Sequence, residues 1–277
     1  MMKRYYLKQI QGEKNALLDL ITKELNIDKN KALELIKQGS VWDDSLKKRI
    51  KNPDFIVESQ LIIVFVPEFP IIEFILNKND IIYEDDFFIV AYKKKGVNST
   101  PTPFSDIDCM IYGVQKYYNE NKIDHIVSPL NRLDCPTDGL LIYAKDKETE
   151  KYFHRLFRER KIKKLYFAKT VAFKNLKNVA LIRDNLTWKN KSSEAISYIK
   201  FIKQHNGEFY FCIYPATGRT HQIRKHFQKY LSPIIGDSLY GNYSRNDELQ
   251  LTCYYYRFIH PYTGNNFEIN IYDRIAM

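Results

Sequence analysis

The sequence contains no long apolar run and no recognisable export signal. No stretch approaches the ~20 consecutive apolar residues that a membrane-spanning helix requires. The first fifteen residues, MMKRYYLKQIQGEKN, are charged and lack the apolar stretch of a signal peptide. We therefore expect no membrane-embedded or exported protein, and we expect a cytoplasmic location.

Cysteine is scarce and scattered. The four cysteines, Cys109, Cys135, Cys212 and Cys253, are far apart, and none belongs to a C-x-x-C pair. Closely spaced cysteines are the usual mark of a zinc site, so we expect no bound metal. In a cytoplasm these residues are expected to be reduced thiols.

Acidic residues are outnumbered along the whole chain. Lysine and arginine total 43, aspartate and glutamate total 33, and the formal net charge is +10. This excess favours a polyanionic partner, RNA or DNA first, with an anionic membrane surface as the alternative. The sequence has no helix-turn-helix, zinc-finger or basic-zipper pattern, so a DNA-binding module is not favoured. The apolar fraction of 44% is enough for a packed core.

A short module precedes a change in composition near Pro67 to Pro70. Helical spacing of apolar residues predicts two helices, the second capped by Asp28 and ended by Gly39. The apolar positions are Leu17, Leu18, Ile21 and Leu25 in the first helix and Ala32, Leu33 and Ile36 in the second. Strand-like segments follow at 40–42 and 61–66.

This module resembles the ribosomal S-four-type RNA-binding domain. Residues 35–41, LIKQGSV, fit the family pattern L-I-x-x-G-x-V, whereas Asp43-Asp44 and Glu58-Ser59 stand where N-G and G-D are usual. The resemblance implies a small α/β RNA-binding domain at 12–68 and a linker at 69–79. Its basic residues would face RNA: Lys29, Lys31, Lys37, Lys47, Lys48 and Arg49. The alternative is a helical cap with a solvated basic face.

The remainder of the chain, 80–277, is rich in strand patterns. Strands are predicted at 87–92, 139–145, 165–171, 195–202, 209–214 and 267–272. A helix capped by Asp146 lies between the second and third strands, with an apolar stripe of Tyr152, Phe153, Leu156 and Phe157. This order is no regular β-α alternation. It predicts an α+β fold with a mostly antiparallel mixed sheet flanked by helices.

Two polar segments carry the candidate chemistry. In the first, NRLDCPTDGLL, Asp134 lies in a loop about five residues before a strand, where a scaffold could hold it rigidly, although a turn-forming role is the ordinary alternative. In the second, TGRTHQIRKH, Gly218 permits a turn and Thr220 can cap a helix. Arg219 would then precede a helix N-terminus and form a seat for a carboxylate or phosphate, unless it is an ordinary surface arginine.

Together these segments resemble the RluA-type RNA pseudouridine synthases. That family carries H-R-L-D-x-x-T-S-G-L-L, K-x-Y-x-A, T-G-R-T-H-Q-I-R-x-H, P-I-x-G-D-x-x-Y-G and H-P-x-T-G. This chain has NRLDCPTDGLL, KLYFA, TGRTHQIRKH, PIIGDSLYG and HPYTG, in the same order. The resemblance covers roughly residues 80–272. It implies isomerisation of uridine within RNA by an aspartate nucleophile, without a cofactor.

The resemblance assigns the reaction to three residues. Asp134 is the implied nucleophile, Arg219 its ion-pair partner, and Tyr166 the residue that packs on the uracil and helps to move the proton. The target base must leave its stack to reach Asp134, and Arg132 matches the residue that fills the vacated space. Further RNA contacts are expected at Thr137, Lys164, Thr217, Thr220, His221, Gln222 and Arg224. The lysine-rich runs 93–95 and 158–164 are expected to be solvated and phosphate-facing.

Four departures from the family pattern accompany these matches. Asn131 replaces His, Asp138 replaces Ser, Lys94 replaces Pro, and Leu251-Thr252-Cys253 replaces L-H-A. We expect Asp138 to add negative charge near the RNA path. The target RNA, ribosomal or transfer, is left open, and the resemblance implies a monomer. The alternative is a catalytically silent RNA-binding or ribosome-assembly protein on the same fold.

Overall fold

The computed structural model describes residues 5–12, 14–125, 127–173, 179–244 and 246–274. Their contacts form two compact units. The N-terminal unit comprises the described residues of 2–76 and 98–124, and the C-terminal unit those of 77–97 and 125–277. The division differs from the predicted boundaries because 98–124, expected in the catalytic domain, groups with the N-terminal residues. None of the described helices is long and apolar enough to cross a membrane.

The N-terminal unit is a four-stranded antiparallel sheet with three helices. Its elements are β1 (Tyr5–Gln11), β2 (Asn15–Ala16), α1 (Leu17–Leu25), α2 (Lys29–Lys37), β3 (Val41–Asp43), β4 (Lys48–Arg49), β5 (Ile56–Val57), β6 (Leu61–Pro67) and α3 (Met110–Glu120). The sheet has the order β1-β6-β3-β4, and β2 pairs separately with β5. The two predicted helices are confirmed, and Asp28 caps α2 by accepting from the Lys31 amide at 2.9 Å. The S-four-type identity of this unit stays a prediction.

Residues 98–124 are tied to the N-terminal strands by hydrogen bonds to backbone carbonyls. The Ser40 hydroxyl donates to Phe104 O at 2.6 Å, and the Trp42 indole donates to Pro103 O at 2.7 Å. Arg49 lies 4.5 Å from the centre of the Trp42 ring and donates to the carbonyls of Gly39 and Thr102. Arg49 is therefore a structural cation within the unit, and the expectation that it faces RNA is wrong.

The C-terminal unit contains a ten-stranded mixed sheet. Its elements are β7 (Ile81–Glu84), β8 (Phe88–Lys93), β9 (Ser128–Pro129), β10 (Asp138–Ala144), α4 (Lys147–Arg158), β11 (Lys163–Thr170), β12 (Val179–Trp188), β13 (Lys191–His205), β14 (Glu208–Pro215), α5 (Gln222–Tyr230), β15 (Leu251–Ile259) and β16 (Asn266–Asn270), with short 3-10 helices at Lys78–Asp80 and Tyr272–Arg274. The main path is β12-β13-β14-β11-β15-β10-β8-β7, with β16 on β15 and β9 on β10. Only the β10–β15 pair is parallel among the described pairs, which confirms the predicted α+β fold.

The six predicted strands and the Asp146-capped helix are confirmed within a few residues at their ends. Strands β12 and β15 were not predicted, although β15 lies at the centre of the sheet between β11 and β10. Seven of its nine residues are buried, so its side chains lack the alternation of apolar and polar residues that marks a half-exposed strand. Burial alone does not explain the omission, because all seven residues of β10 are also buried and a strand was predicted for that segment.

The parallel pairing of β10 with β15 depends on Gly139. This residue has φ +117°, and a Cβ at its position would overlap the backbone of Cys253. We expect Gly139→Ala to destabilise the fold by on the order of 3 kcal/mol or more, because both the backbone conformation and the neighbouring strand oppose a side chain. Urea denaturation measures this. Gly207→Ala is the control, since its φ is also positive, at +76°, but its Cβ would meet nothing within 4 Å.

Candidate active site

The Asp134 loop lies between β9 and β10, and a buried lysine donates a hydrogen bond to its backbone. Lys93 is fully buried, and its ammonium donates to the carbonyls of Val97 at 2.8 Å and Cys135 at 3.0 Å. Burial lowers the pKa of Lys93 to about 8. The Asp134 carbonyl accepts from the Thr137 amide at 3.0 Å, which closes the turn. The loop is thus rigid, and the expectation that Lys93 is solvated is wrong.

Two groups from α5 and its N-terminal end face the Asp134 carboxylate. Arg224 Nη1 lies 3.7 Å from Oδ2, and His221 Nε2 lies 3.9 Å from Oδ1. About 29% of the Asp134 side chain is exposed, so the carboxylate can be reached from solvent. The site therefore combines an accessible carboxylate with a fixed guanidinium.

Arg224 is fixed by a second carboxylate. Its Nε and Nη2 donate to the two oxygens of Asp237 at 2.8 and 2.7 Å, and both side chains are buried. Burial alone favours the neutral form of Asp237, but the hydrogen bonds from Arg224 outweigh it and lower the pKa of Asp237. Because the guanidinium fork is fully engaged with Asp237, its third nitrogen is aimed at Asp134 without freedom to turn away.

The expected pairing of Arg219 with Asp134 is wrong. Arg219 is exposed, and its Nε donates to the Glu194 carbonyl at 2.9 Å. The helix begins only at Gln222, so Arg219 lies in the preceding loop and points outward, whereas Arg224 lies in the first turn and points inward. No local pattern distinguishes the two arginines, because the burial of Asp237 and its pairing with Arg224 are visible only in the structure.

Gln222 organises the loop before α5. Its amide NH₂ donates to the Ile196 carbonyl and the Ser197 hydroxyl, both at 2.9 Å. Its amide oxygen accepts from the Thr217 hydroxyl at 2.6 Å and from the Arg219 amide at 3.0 Å. The polar groups of the Gln222 and Thr217 side chains are therefore occupied by hydrogen bonds within the protein. The expectation that either contacts RNA is therefore not supported by their surroundings.

The start of α5 also differs from the prediction. His221, with φ 53°, is the residue that precedes the helix, and no side chain caps it, so Thr220 does not have the predicted capping role. His221 Nδ1 is 2.9 Å from the Tyr240 hydroxyl, and burial lowers the pKa of His221. His221 is therefore a neutral hydrogen-bonding group at neutral pH rather than a second cation beside Asp134.

His226, at the end of the same motif, is a buried structural residue. Its Nδ1 is 3.0 Å from the Ser197 hydroxyl that also accepts from Gln222, and burial lowers the pKa of His226 to about 4. The unfolded chain binds this proton at about pH 6.5, so stability is lost as the pH falls from about 6.5 to 4, by up to ~3 kcal/mol. We expect the urea midpoint of unfolding of His226→Asn to change less with pH over that window than the midpoint of the unmodified enzyme. An equally steep loss in the variant would contradict the assignment.

Tyr166 lies on β11, in the layer beneath the loop. Its side chain is 6% exposed, and burial, the Cys253 thiol and the Asp134 carboxylate together raise its pKa well above the usual value. The phenol is therefore protonated at neutral pH and can donate a hydrogen bond. Lys164 Nζ lies 5.8 Å from the centre of the Tyr166 ring, so this lysine covers the ring instead of standing free in solvent.

Two hydrogen-bonded groups contain Asp138, Thr252 and Asn131, three of the residues that depart from the family pattern. Asp138 is buried and accepts from the Tyr92 hydroxyl at 2.6 Å and the Thr252 hydroxyl at 2.7 Å. The expectation that Asp138 adds charge to the RNA path is therefore wrong. Asn131 donates to the Tyr256 hydroxyl at 2.7 Å and accepts from the backbone of β10. Both departures are compensated within the sheet, away from solvent.

The remaining expected RNA contacts have mixed surroundings. Arg132 is exposed directly beside the Asp134 loop, where it can reach a substrate. Thr137 is buried, and its hydroxyl has no partner among the described residues. Tyr240, whose ring centre lies 5.1 Å from the Arg224 guanidinium, was not predicted as a site residue. No group of three or more His, Cys, Asp or Glu side chains in the described part of the chain is arranged to hold a metal ion.

Comparison with known proteins decides the family. The family model for RNA pseudouridylate synthase matches residues 87–229, which include Asp134, Tyr166 and Arg224. The ribosomal large subunit pseudouridine synthase C of Rickettsia felis is 31% identical over 257 residues, covering 87% of this chain and 80% of that protein. The chain belongs to the RNA pseudouridylate synthase family. It is an RNA pseudouridine synthase, an isomerase that acts on RNA.

Other similarities of this pseudouridine synthase are broader. The dual-specificity RNA pseudouridine synthase RluA of Vibrio cholerae is 30% identical over 199 residues, covering 66% of this chain and 78% of that protein. Two human structures, RNA pseudouridylate synthase domain containing 1 and 4, each align with a TM-score of 0.54. They share 20% and 18% identity and cover 69% and 72% of this chain, and 82% and 93% of theirs. These likenesses support the fold.

Proposed function

We propose that this enzyme converts uridines of large-subunit ribosomal RNA to pseudouridine, with Asp134 as nucleophile. The observation that carries the proposal is the part-exposed Asp134 carboxylate, which lies 3.7 Å from the buried guanidinium of Arg224 and which contributes to the raised pKa of Tyr166. The ribosomal target is supported by the names of relatives such as the Rickettsia felis enzyme. Transfer RNA is the second candidate, favoured by the dual-specificity relative in Vibrio cholerae.

The reaction needs no change of oxidation state. The N1–C1′ glycosidic bond of uridine breaks, the uracil rotates and a C5–C1′ bond forms. C5 then loses its proton and N1 takes one up, so the product is an isomer of the substrate. Asp134 supplies the nucleophile, and Arg224 stabilises the negative charge on its carboxylate. Tyr166, buried and protonated, packs below the uracil and donates a hydrogen bond as charge shifts in the ring. A neutral His221 fixes the other side of the carboxylate through its bond to Tyr240.

The uridine must leave its stack to reach Asp134, at a cost of a few kcal/mol. Arg132 is exposed in the same loop, two residues from Asp134, and is suited to occupy the space that the base vacates. The target is identified by mapping pseudouridines in ribosomal and transfer RNA from cells with and without the gene. Loss of sites from transfer RNA alone would replace the ribosomal proposal with the second candidate.

We also infer that the N-terminal unit binds RNA, and that the enzyme acts in the cytoplasm as a monomer. Lys37 and Lys48 are exposed and have no ion-pair partner within the described residues, whereas Lys31 and Lys47 lie close to Glu34 and Asp44. Unpaired lysines are the ones free to neutralise phosphate. They support an RNA-facing surface that does not include Arg49.

We expect Lys37→Gln/Lys48→Gln to weaken RNA binding and to flatten its salt dependence. Two lost phosphate contacts should reduce the slope of log affinity against log salt by about 1.4 to 1.8. Filter binding with a ribosomal RNA transcript, at salt concentrations from about 50 to about 200 mM, measures the slope of log affinity against log salt. The matched control is Lys31→Gln/Lys47→Gln, which changes the same net charge. Equal slopes for the two double variants would rule out a specific RNA surface at Lys37 and Lys48.

A further inference from the structure

An exposed tryptophan lies at the tip of the β12–β13 hairpin. β12 ends at Trp188 and β13 begins at Lys191, and the two residues between them, Lys189 and Asn190, have φ values of 46° and 63°. Such two-residue turns hold the flanking strands in register. Trp188 is 45% exposed, so part of its indole is open to a partner outside the protein.

The hairpin tip is fastened to α5, the helix that carries Arg224. Lys225 Nζ donates to the Thr187 carbonyl at 3.1 Å and lies 5.5 Å from the centre of the Trp188 ring. Further along the hairpin, Lys229 pairs with Asp184 at 2.7 Å. The position of Trp188 is therefore defined by the helix rather than by the turn alone.

Trp188 is one side chain away from the reacting carboxylate. Its ring centre lies 5.4 Å from that of His221, and His221 Nε2 lies 3.9 Å from Asp134 Oδ1. About 29% of the Asp134 side chain is exposed, so a nucleotide can be held there. Because of the short distances through His221, the chain neighbour of that nucleotide would lie close to the indole.

The surroundings of Trp188 are basic. Lys189 and Lys191 are exposed on either side of the turn, and neither has a carboxylate partner within the described part of the chain. Proteins that hold unpaired nucleotides combine an aromatic face for the base with nearby cations for the backbone. The hairpin tip has both components, next to the site at which one nucleotide must be unstacked.

We propose that Trp188 stacks on an unpaired base of the substrate RNA adjacent to the target uridine, with Lys189 and Lys191 on the neighbouring phosphates. The proposal rests on Asp134 being the reacting group. Arg132 occupies the space that the flipped base vacates, whereas the indole offers its face to a neighbouring base that is itself unpaired. Trp188 is thus a binding residue for the RNA and takes no part in bond breaking.

Fluorescence tests the contact directly. The chain has two tryptophans, so Trp42→Phe leaves Trp188 as the reporter. In a Trp42→Phe/Asp134→Asn background, which prevents turnover, single-stranded ten-nucleotide oligouridylate and oligoadenylate are expected to quench the emission. Inorganic polyphosphate, which has the charge but no bases, is expected to leave it nearly unchanged. Quenching by polyphosphate to the same extent, or none by either RNA, would overturn the proposal.

Kinetics with the otherwise unmodified enzyme separate stacking from other roles. Trp188→Ala is expected to raise KM for a ribosomal RNA transcript about 5- to 100-fold, in line with the loss of one base–aromatic stack. The single-turnover rate at saturating RNA should stay within about threefold, and Trp188→Phe should restore most of the affinity. Leu181→Ala, an exposed apolar residue seven positions back on the same strand, is the matched control and should change neither parameter.

Two results would refute the assignment. A lower saturating rate with unchanged KM in Trp188→Ala would mean that the indole supports His221 instead of the RNA. Equal loss in the Ala and Phe variants would mean that its shape, not its aromatic face, matters. Failure of the Asp134 assignment is distinguished separately, because Asp134→Asn would then retain turnover whatever Trp188 does.

Discussion

Replacing Asp134 by asparagine is expected to abolish pseudouridine formation while leaving the fold and RNA binding intact. The amide keeps the shape of the side chain but has no nucleophilic carboxylate, so turnover should fall by on the order of 10³-fold or more. Stability should change little, because the carboxylate is part-exposed and lies 3.7 Å from the Arg224 guanidinium and 3.9 Å from the His221 ring. Tritium release from RNA labelled at uridine C5 measures the turnover.

Asp138→Asn is the matched control, since it removes a second carboxylate four residues further along. Asp138 accepts hydrogen bonds from Tyr92 and Thr252 and is buried, so its loss should cost about 1 to 3 kcal/mol of stability and much less activity. Near-normal turnover in Asp134→Asn, or a complete loss of turnover in a folded Asp138→Asn, would reverse the roles of the two residues.

Replacing Arg224 by glutamine is expected to damage both stability and catalysis. The change leaves Asp237 buried without its charged partner, which typically costs about 3–5 kcal/mol. It also removes the guanidinium that faces Asp134, so the single-turnover rate should fall by on the order of 10²-fold. Arg224→Lys should be impaired as well, because an ammonium cannot grip Asp237 with two bonds and reach Asp134 together.

Arg219→Gln distinguishes this assignment from the one that the motif suggests. Arg219 donates to the Glu194 carbonyl at the surface. Its variant should therefore keep the wild-type melting temperature, and its saturating rate should stay within about threefold of the wild-type rate. Thermal unfolding and single-turnover assays on the Arg219 and Arg224 variants form one comparison. A larger rate defect in Arg219→Gln than in Arg224→Gln would restore Arg219 as the partner of Asp134.

These two arginines illustrate how far a sequence motif can be read. The motif contains both of them, and the helix predicted within it is confirmed as α5, although Thr220 does not cap it. The side that each arginine faces depended on where α5 begins. That point is set by Gln222 and its bonds to Ile196 and Ser197, two residues that are distant in sequence. Long-range hydrogen bonds of this kind leave no local pattern.

The same limit applies to the rest of the molecule. The Asp146-capped helix has local periodicity and was predicted, whereas β12 was not, although its residues 181–187 alternate between more and less exposed positions. β15 is buried on both faces, so the spacing of its residues did not indicate a strand. Lys93 lies in the interior, although its residue type predicted a solvated side chain. Asp138 and Thr252 illustrate a third case, because two departures from the family pattern compensate each other only when β10 and β15 are known to be neighbours.

The interleaving of the two units along the chain has a consequence for synthesis on the ribosome. Residues 98–124 complete the N-terminal unit, but they are made after β7 and β8, which belong to the other sheet. The N-terminal unit therefore cannot reach its final hydrogen bonding until residue 124 has left the exit tunnel, by which time an unpaired hairpin of the C-terminal unit has emerged. That hairpin waits for β10, its next partner on the sheet. Nascent chains stalled shortly after residue 68 should thus remain sensitive to protease, and protection should begin only with chains long enough to expose residue 124.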